Sequence, residues 1–264
     1  MLNKKQKYLQ IALNNNLSEA RSIINQIPLD NRIIIEAGTP LIKAYGADGI
    51  RKIRLFWEQR IFGYSSNISE ISPTNPWIVA LTRSFEKNKT FFNKERKTSE
   101  NKKFSFNPYI VADLKCMDRG AREVEIAREG GADAATALGH APIETLDAFI
   151  QNCWENNLDS MVDMMNVDFP LNVLRQLKKL PEVVILHRGV DEEAFNREKE
   201  IPYHEIQRIK SNYDIMIAVA GGDTFREAQR AIFNDVDIVV VWKSFYKSTG
   251  ETAELAKRFL EEIR

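Results

Sequence analysis

Short apolar runs alternate with helix-like segments from one end of this 264-residue chain to the other, and the alternation yields eight strand–helix units. Parallel strands need helical crossovers between them, so the alternation predicts an α/β fold with a parallel sheet covered by helices. The runs are continuously apolar, which is typical of strands buried on both faces. Eight units are the number found in a closed barrel, so we expect residues 1–264 to form one (β/α)8 TIM barrel.

The boundaries of these units follow from where each apolar run begins and ends. The predicted strands are 8–13, 33–35, 109–112, 134–138, 159–164, 183–186, 215–220 and 238–241. The predicted helices are 18–27, 47–57, 120–129, 143–155, 171–179, 203–211, 224–234 and 251–263. Because the carboxyl ends of the strands meet at one face of a barrel, the residues directly after each run are the candidates for chemistry.

One stretch, residues 60–107 between the second helix and the third strand, breaks the alternation. It contains nine basic and four acidic residues, whereas the whole chain has no net charge. A connection of this length is rare in a compact domain, so we interpret it as an insertion in the barrel. A helix-to-strand connection belongs to the face opposite the active site, which favours a solvated insertion without a catalytic role. An oligomer contact or a weak polyanion-binding patch is the alternative.

Composition excludes several classes of partner. The 37 basic and 37 acidic residues balance, so no nucleic-acid partner is expected. The basic start, residues 1–7, precedes an apolar run too short for a signal peptide or a membrane span, so no membrane partner is expected. Two cysteines, Cys116 and Cys153, do not suggest a disulfide framework. We therefore expect both cysteines to be reduced and the protein to be cytoplasmic.

The third strand ends in the charged motif Asp113-Leu114-Lys115-Cys116-Met117-Asp118. Side chains alternate faces along a strand, so Asp113 and Lys115 should point the same way. Asp118 follows where the chain turns into a helix. A cation between carboxylates is costly to bury unless all the groups are paired, and proteins accept that cost mainly at sites. An ordinary ion pair at a strand end remains the alternative.

Polar groups and glycines follow the other strands as well. They are Asn14, Glu36, Thr136, Asp163, His187, Gly221 and Gly222. Glu36 and Asp113, on adjacent strands, could share a hard divalent cation, which prefers carboxylate oxygens. The Gly221-Gly222 turn would let backbone N–H groups approach an anion near strands seven and eight. Together these residues predict a site at one end of the barrel.

Five segments in this order resemble the 3-hexulose-6-phosphate synthase family, within the orotidine-5′-phosphate decarboxylase superfamily, whose mark is Asp-x-Lys-x-x-Asp. They are IEAGTPLIK (35–43), ADLKCMD (112–118), MVDMMNV (161–167), HRGVD (187–191) and VAGG (219–222). The form is similar to the archaeal synthase, and the resemblance covers nearly the whole chain outside residues 60–107. It implies the TIM barrel and a lyase of the aldolase type.

The resemblance also implies a mechanism and an assembly. Such enzymes use Mg²⁺ to condense formaldehyde with ribulose 5-phosphate, or to run the reverse cleavage, through an enediolate. Glu36 and Asp113 would hold the metal, Lys115 would donate to the enediolate oxygens, and His187 would move the proton. Asp118 would reach the neighbouring subunit's site, which implies a homodimer with shared active sites.

Phosphorylated sugar would contact a further set of residues by the same resemblance. These are Asn14, Thr136, Asp163, Arg188, Gly221, Gly222 and Lys243. A Schiff base on Lys115 is the competing aldolase chemistry, but flanking carboxylates raise a lysine pKa where an amine nucleophile needs it lowered.

The chain departs from the family pattern at two strand ends. Asn14 stands where the family has aspartate, and an amide carries no charge and cannot act as a base. Trp242 and Lys243 stand where the family has a glycine-containing turn that cradles phosphate. These departures keep two alternatives open. One is a divergent paralogue acting on another phosphorylated substrate as a decarboxylase or epimerase, and the other is a non-catalytic binding protein.

Overall fold

The computed structural model describes residues 1–63, 106–196, 198–222, 224–247 and 252–263. Eight parallel strands close into a barrel in chain order, which confirms the predicted (β/α)8 architecture. The strands are β1 Tyr8–Leu13, β2 Ile33–Ala37, β3 Ile110–Cys116, β4 Ala134–Leu138, β5 Asp159–Asp163, β6 Val183–His187, β7 Met216–Ala220 and β8 Ile238–Val241. The helices of the described residues are α1 Leu17–Gln26, α2 Thr39–Phe62, α3 Gly120–Glu129, α4 Ile143–Glu155, α5 Pro170–Leu174, α6 Val190–Phe195, α7 His204–Lys210, α8 Phe225–Phe233, α9 Lys243–Lys247 and α10 Thr252–Glu262.

The strand residues divide into two apolar layers, because side chains alternate between the inside and the outside of the barrel. Tyr8 and Ala12 of β1 belong to the inner layer, with Val111 of β3. Leu9 and Ile11 belong to the outer layer, which packs against the helices. Both layers are buried, which explains why the strands read as unbroken apolar runs.

Helix α2 is longer than its predicted range of 47–57. It begins at Thr39, with Pro40 in its first turn, and Gly46 interrupts it in a backbone conformation with φ of +59°. Proline suits a first turn because its missing N–H would have no partner there. The predicted range therefore covered only the part after the kink.

Two further differences lie near the carboxyl ends of the strands. Strand β3 continues through Cys116, beyond the apolar run that ends at residue 112, so the motif lies on the third strand as expected and its first four residues are part of the barrel wall. Short helices α6 and α9, directly after β6 and near β8, were not predicted. Each has fewer than two turns, too few residues to display the apolar period of a helix.

Only the flanks of the predicted insertion 60–107 lie among the described residues. Residues 60–62 belong to α2, which ends at Gly63 in a left-handed conformation. Phe106 packs its ring 6.2 Å from that of Trp57. The remainder of the insertion, and the expectation that it lies at the amino-terminal face, fall outside the described residues.

Two predictions made from the whole sequence concern membrane spans and disulfides. Within the described ranges, no helix combines the length and apolar character that a bilayer crossing requires. Cys116 and Cys153 are both free and buried. Burial raises the pKa of the Cys116 thiol to about 11, which keeps it protonated at neutral pH.

Two phenylalanine substitutions test whether the packing of helix side chains against the barrel stabilises the fold. Phe149 of α4 is fully buried in the outer layer, whereas Phe233 of α8 is 90% exposed. Phe149→Ala should lower the free energy of unfolding by about 3–5 kcal/mol because it leaves a cavity. Phe233→Ala, the matched control, should change it by less than about 0.5 kcal/mol. Denaturant unfolding measures both, and equal effects would contradict this packing.

Candidate active site

A cavity of about 430 Å³ opens at the carboxyl ends of the strands. Its lining includes nine of the predicted site residues, namely Asn14, Glu36, Asp113, Lys115, Thr136, Asp163, His187, Arg188 and Gly221. Asp118, Gly222 and Lys243, which were also predicted, do not line it. These nine residues come from seven strands or the turns just after them, and Val240 and Trp242 add the eighth strand to the lining.

The backbone of Lys115 is held in an unusual conformation. Its φ is +46°, and the pairing of β3 with β4 shifts register between Ala112 and Cys116. A non-glycine residue with positive φ is uncommon and persists only where its surroundings fix it. Here the Lys115 N–H donates to Thr136 Oγ1 at 3.1 Å, and that hydroxyl donates to Asp113 Oδ1 at 2.7 Å. Thr136 thus fixes the motif from the neighbouring strand.

The contacts of Thr136 give it a positioning role within the protein. Its single hydroxyl proton goes to Asp113, and the residue is only 1% exposed. Its predicted contact with substrate stays a prediction, and such a contact would use the hydroxyl as an acceptor, since a hydroxyl has one proton to donate.

The Lys115 amine lies between two carboxylates. Its Nζ is 3.1 Å from Asp113 Oδ2 and 3.0 Å from Asp163 Oδ2. Burial alone would lower the pKa of Lys115, but the charges of Asp113 and Asp163 outweigh it and raise that pKa above the ordinary lysine value. The amine is therefore a fixed ammonium group that faces the cavity.

Asp163 connects this ammonium to His187. The carboxylate is 2% exposed, and its Oδ2 lies 2.8 Å from His187 Nδ1. An ionised carboxylate only accepts, so Nδ1 carries a proton and Nε2 is left for a ligand. Burial would raise the pKa of Asp163, but His187 and Lys115 lower it well below its usual value. Burial would lower the pKa of His187, but Asp163 raises it.

Glu36 lies in the same cavity with a different electrostatic environment. It is 7% exposed, and Gln10 Nε2 donates to its Oε2 at 2.5 Å. Burial and the neighbouring charge of Asp113 raise the pKa of Glu36 to about 7. Two carboxylates that repel each other in one cavity favour a shared cation, so this pair fits a divalent metal.

The described residues do not include a group of three or more histidine, cysteine or acidic side chains arranged around one metal position. Mg²⁺ does not require such a cage, because it commonly keeps several waters and uses one or two carboxylates. The donor set of Glu36 and Asp113 is compatible with that mode. Thr39 also donates to Asp113 Oδ2, at 2.8 Å, which orients the carboxylate.

The opposite side of the cavity carries basic groups. Arg188 donates from its NH2 to Gly221 O at 2.8 Å, and the turn at Gly221 has φ of +91°. A β-carbon there would lie 2.1 Å from Arg188 O, so only glycine fits. Lys243, just outside the lining, forms an ion pair with Glu193 of α6.

The two departures from the family pattern both lie at this site. Asn14 occupies the space beside Gly38, where a β-carbon would come 1.9 Å from Asn14 Oδ1. Trp242 lines the cavity and packs edge-on against Tyr246, with ring centroids 6.1 Å apart. The Tyr246 hydroxyl in turn accepts from the Asn14 N–H at 3.0 Å. The departures are therefore neighbours joined by one tyrosine.

Asp118 lies apart from the cavity of its own chain. It is exposed, and its Oδ1 accepts from the Arg119 N–H at 2.7 Å. Arg119 itself has φ of +56° at the start of α3. This loop also exposes 45% of Met117, an apolar side chain beside the charged one.

Three residues of the site were not singled out from the sequence, although two of them carried a signal. Gln10 shares the inward face of β1 with Tyr8 and Ala12, so a polar residue at that alternation could have been noticed. Thr39 belongs to the segment 35–43 that carries the resemblance. Glu193 had no signal, because its place depends on the unpredicted helix α6.

Comparison with known proteins supports the assignment made from the motifs. The model of the Orotidine 5'-phosphate decarboxylase / HUMPS family matches residues 91–259. A "Bifunctional enzyme Fae/Hps" of Methanosarcina barkeri is 31% identical over 258 residues, which are 97% of this chain and 52% of that protein. The chain thus spans about half the length of the curated relatives it matches.

Solved structures share the fold. The 3-hexulose-6-phosphate synthase from Salmonella typhimurium has a TM-score of 0.67 and 22% identity, covering 97% of this chain and 99% of that one. The 3-keto-L-gulonate-6-phosphate decarboxylase from Vibrio cholerae has a TM-score of 0.66 and 18% identity, covering 98% of this chain and 97% of that one. The family model covers well over half of the sequence, and the chain therefore belongs to the orotidine 5′-phosphate decarboxylase / HUMPS family.

Proposed function

We propose that this chain catalyses an aldol reaction of the 3-hexulose-6-phosphate synthase type, joining formaldehyde to ribulose 5-phosphate or running the reverse cleavage. The observation that carries the proposal is the connected set Asp113, Lys115, Asp163 and His187 at the cavity. The family membership and the activities for which the related proteins are named support it.

The residues suit chemistry through an enediolate. Removing a proton from the carbon beside a ketose carbonyl gives one negative charge, shared between the carbonyl oxygen and the deprotonated carbon. The Lys115 ammonium, held by Asp113 and Asp163, is a preorganised donor for that charge. His187 exchanges a proton through Nε2, and Asp163 stabilises its protonated form.

The electrostatics of Lys115 argue against the competing Schiff-base chemistry. An attacking amine must lose its proton, but the surrounding carboxylates raise the pKa of Lys115. The lysine therefore acts as a charged donor rather than as a nucleophile.

We also propose Mg²⁺ as the cofactor, held by Glu36 and Asp113. When bound, the ion would act as a Lewis acid toward the enediolate oxygens. Its support is the pair of carboxylates in one cavity and the raised pKa of Glu36.

A second candidate function rests on Trp242. Its indole lines the cavity at the end of β8, where phosphate sites of TIM barrels commonly lie. That position favours a paralogue acting on another phosphorylated substrate, by decarboxylation or epimerisation. The substitution Trp242→Gly separates the candidates, because aldol turnover that arises only in this variant supports the second.

Lys115→Ala tests the proposed reaction. Losing one preorganised donor should lower turnover by about 10²–10³. Lys52→Ala, on the exposed face of α2, is the matched control and should keep wild-type turnover. Formaldehyde consumption with ribulose 5-phosphate measures each variant. Wild-type protein without such turnover, or turnover independent of Lys115, would contradict the proposal.

Glu36→Gln tests the metal. The variant should lose Mg²⁺ binding in calorimetry. Glu254→Gln, at an exposed position of α10, is the matched control and should keep it. The proton on Glu36 must leave before the metal binds, so wild-type affinity should rise with pH and level off above about 7. Equal Mg²⁺ binding by wild type and Glu36→Gln would contradict the assignment.

Asp118 tests the proposed homodimer with shared sites. Lys115→Ala and Asp118→Ala protomers should each be impaired alone. If each site combines the two residues from different protomers, co-refolding them in equal amounts should restore about a quarter of wild-type turnover, because half of the dimers are mixed and each has one intact site. Sedimentation at micromolar concentration measures assembly. A monomer, or a mixture without restored turnover, would refute sharing.

A further inference from the structure

The carboxylate of Glu193 lies between the two cations at the basic side of the cavity. It forms an ion pair with Lys243, and its Oε1 lies 4.0 Å from Arg188 NH2. Glu193 lines the cavity and is about one-third exposed, on helix α6 directly after β6. An acidic side chain of the cavity therefore pairs with Lys243 and lies within 4.0 Å of Arg188.

A phosphorylated ligand would have few other cations to bind. Lys115 is the other lysine or arginine among the described residues that line the cavity, and Asp113 and Asp163 enclose it. Phosphate oxygens carry up to two negative charges and favour arginine and lysine donors. A phosphate bound by both Arg188 and Lys243 would compete with the Glu193 carboxylate, which contacts the same two side chains.

Arg188 has a donor group available for an additional hydrogen-bond acceptor. Its NH2 donates to Gly221 O and lies 3.3 Å from Glu227 Oε1, which fixes the guanidinium plane. Its Nε–H is buried and has no hydrogen-bond partner among the described residues. A buried donor without a partner costs free energy that an incoming oxygen atom would recover.

We propose that Glu193 is an internal substitute for phosphate, which a phosphorylated ligand displaces from Lys243. The inference rests on the proposed function in taking the ligand to be a sugar phosphate. Displacement opposes binding, so Glu193 sets the affinity of the anion subsite and favours ligands that carry a full phosphate charge. Lys243 Nζ also lies 5.7 Å from the centroid of the Trp242 ring, a contact that helps to hold the ammonium near this position.

The test measures binding of inorganic phosphate and of ribose 5-phosphate by calorimetry at low salt. Glu193→Gln keeps the size of the side chain and removes its charge, so the Kd for both ligands should fall about tenfold. Asp191→Asn is the matched control: it removes one charge from an exposed residue of the same helix, and should change the Kd by less than about twofold.

A double-variant cycle makes the test specific. In a Lys243→Gln background the gain from Glu193→Gln should shrink to about threefold or less, because the displaced ion pair is already absent. A full gain in that background, an unchanged or higher Kd in Glu193→Gln, or no phosphate binding by either protein would each overturn the inference. Thermal unfolding confirms that the variants fold. Aldol turnover of the wild type tests the proposed function separately from these binding data.

Discussion

The Lys115 ammonium is the interaction on which the rest of the site depends. It joins Asp113 of β3 to Asp163 of β5, and Asp163 in turn holds His187 of β6. Removing one member of such a buried set leaves an uncompensated charge, at a cost of about 3–5 kcal/mol. The burial that makes these charges costly also strengthens their electrostatic field. One arrangement therefore connects β3, β5 and β6 and, on the proposed function, would hold a positive charge ready for an anionic intermediate.

The direction of the Lys115 ammonium is set by a strained segment of β3 rather than by regular strand geometry. The register shift after Ala112 and the positive φ of Lys115 cost about 1–3 kcal/mol, and Thr136 helps to offset it with two hydrogen bonds. The barrel supplies the rigidity, because β3 is paired on both sides. The local irregularity persists because pairing on both sides prevents this segment of β3 from relaxing to a regular conformation.

The sequence predicted the structural features that leave a repeating pattern, but not the contacts that depend on local geometry. Eight apolar runs predicted the barrel because burial on both faces leaves a periodic mark. Glu36 and His187 were found because residues after strands must share one face. The hydrogen bonds of Thr136 to Lys115 and Asp113 could not be anticipated, since hydroxyl direction is not encoded in spacing. Glu193 was missed because a helix as short as α6 has no period.

The cavity has two chemical halves, and the departures from the family pattern fall in one of them. Glu36, Asp113, Lys115 and His187 form the charged half, to which the proposed function assigns the reaction. Asn14 and Trp242, linked through Tyr246, lie on the side where β1 pairs with β8. On the proposed function, a change there would alter what the cavity can hold while leaving the charged network in place. Divergence confined to the binding half would therefore change the substrate of such a barrel before it changes its chemistry.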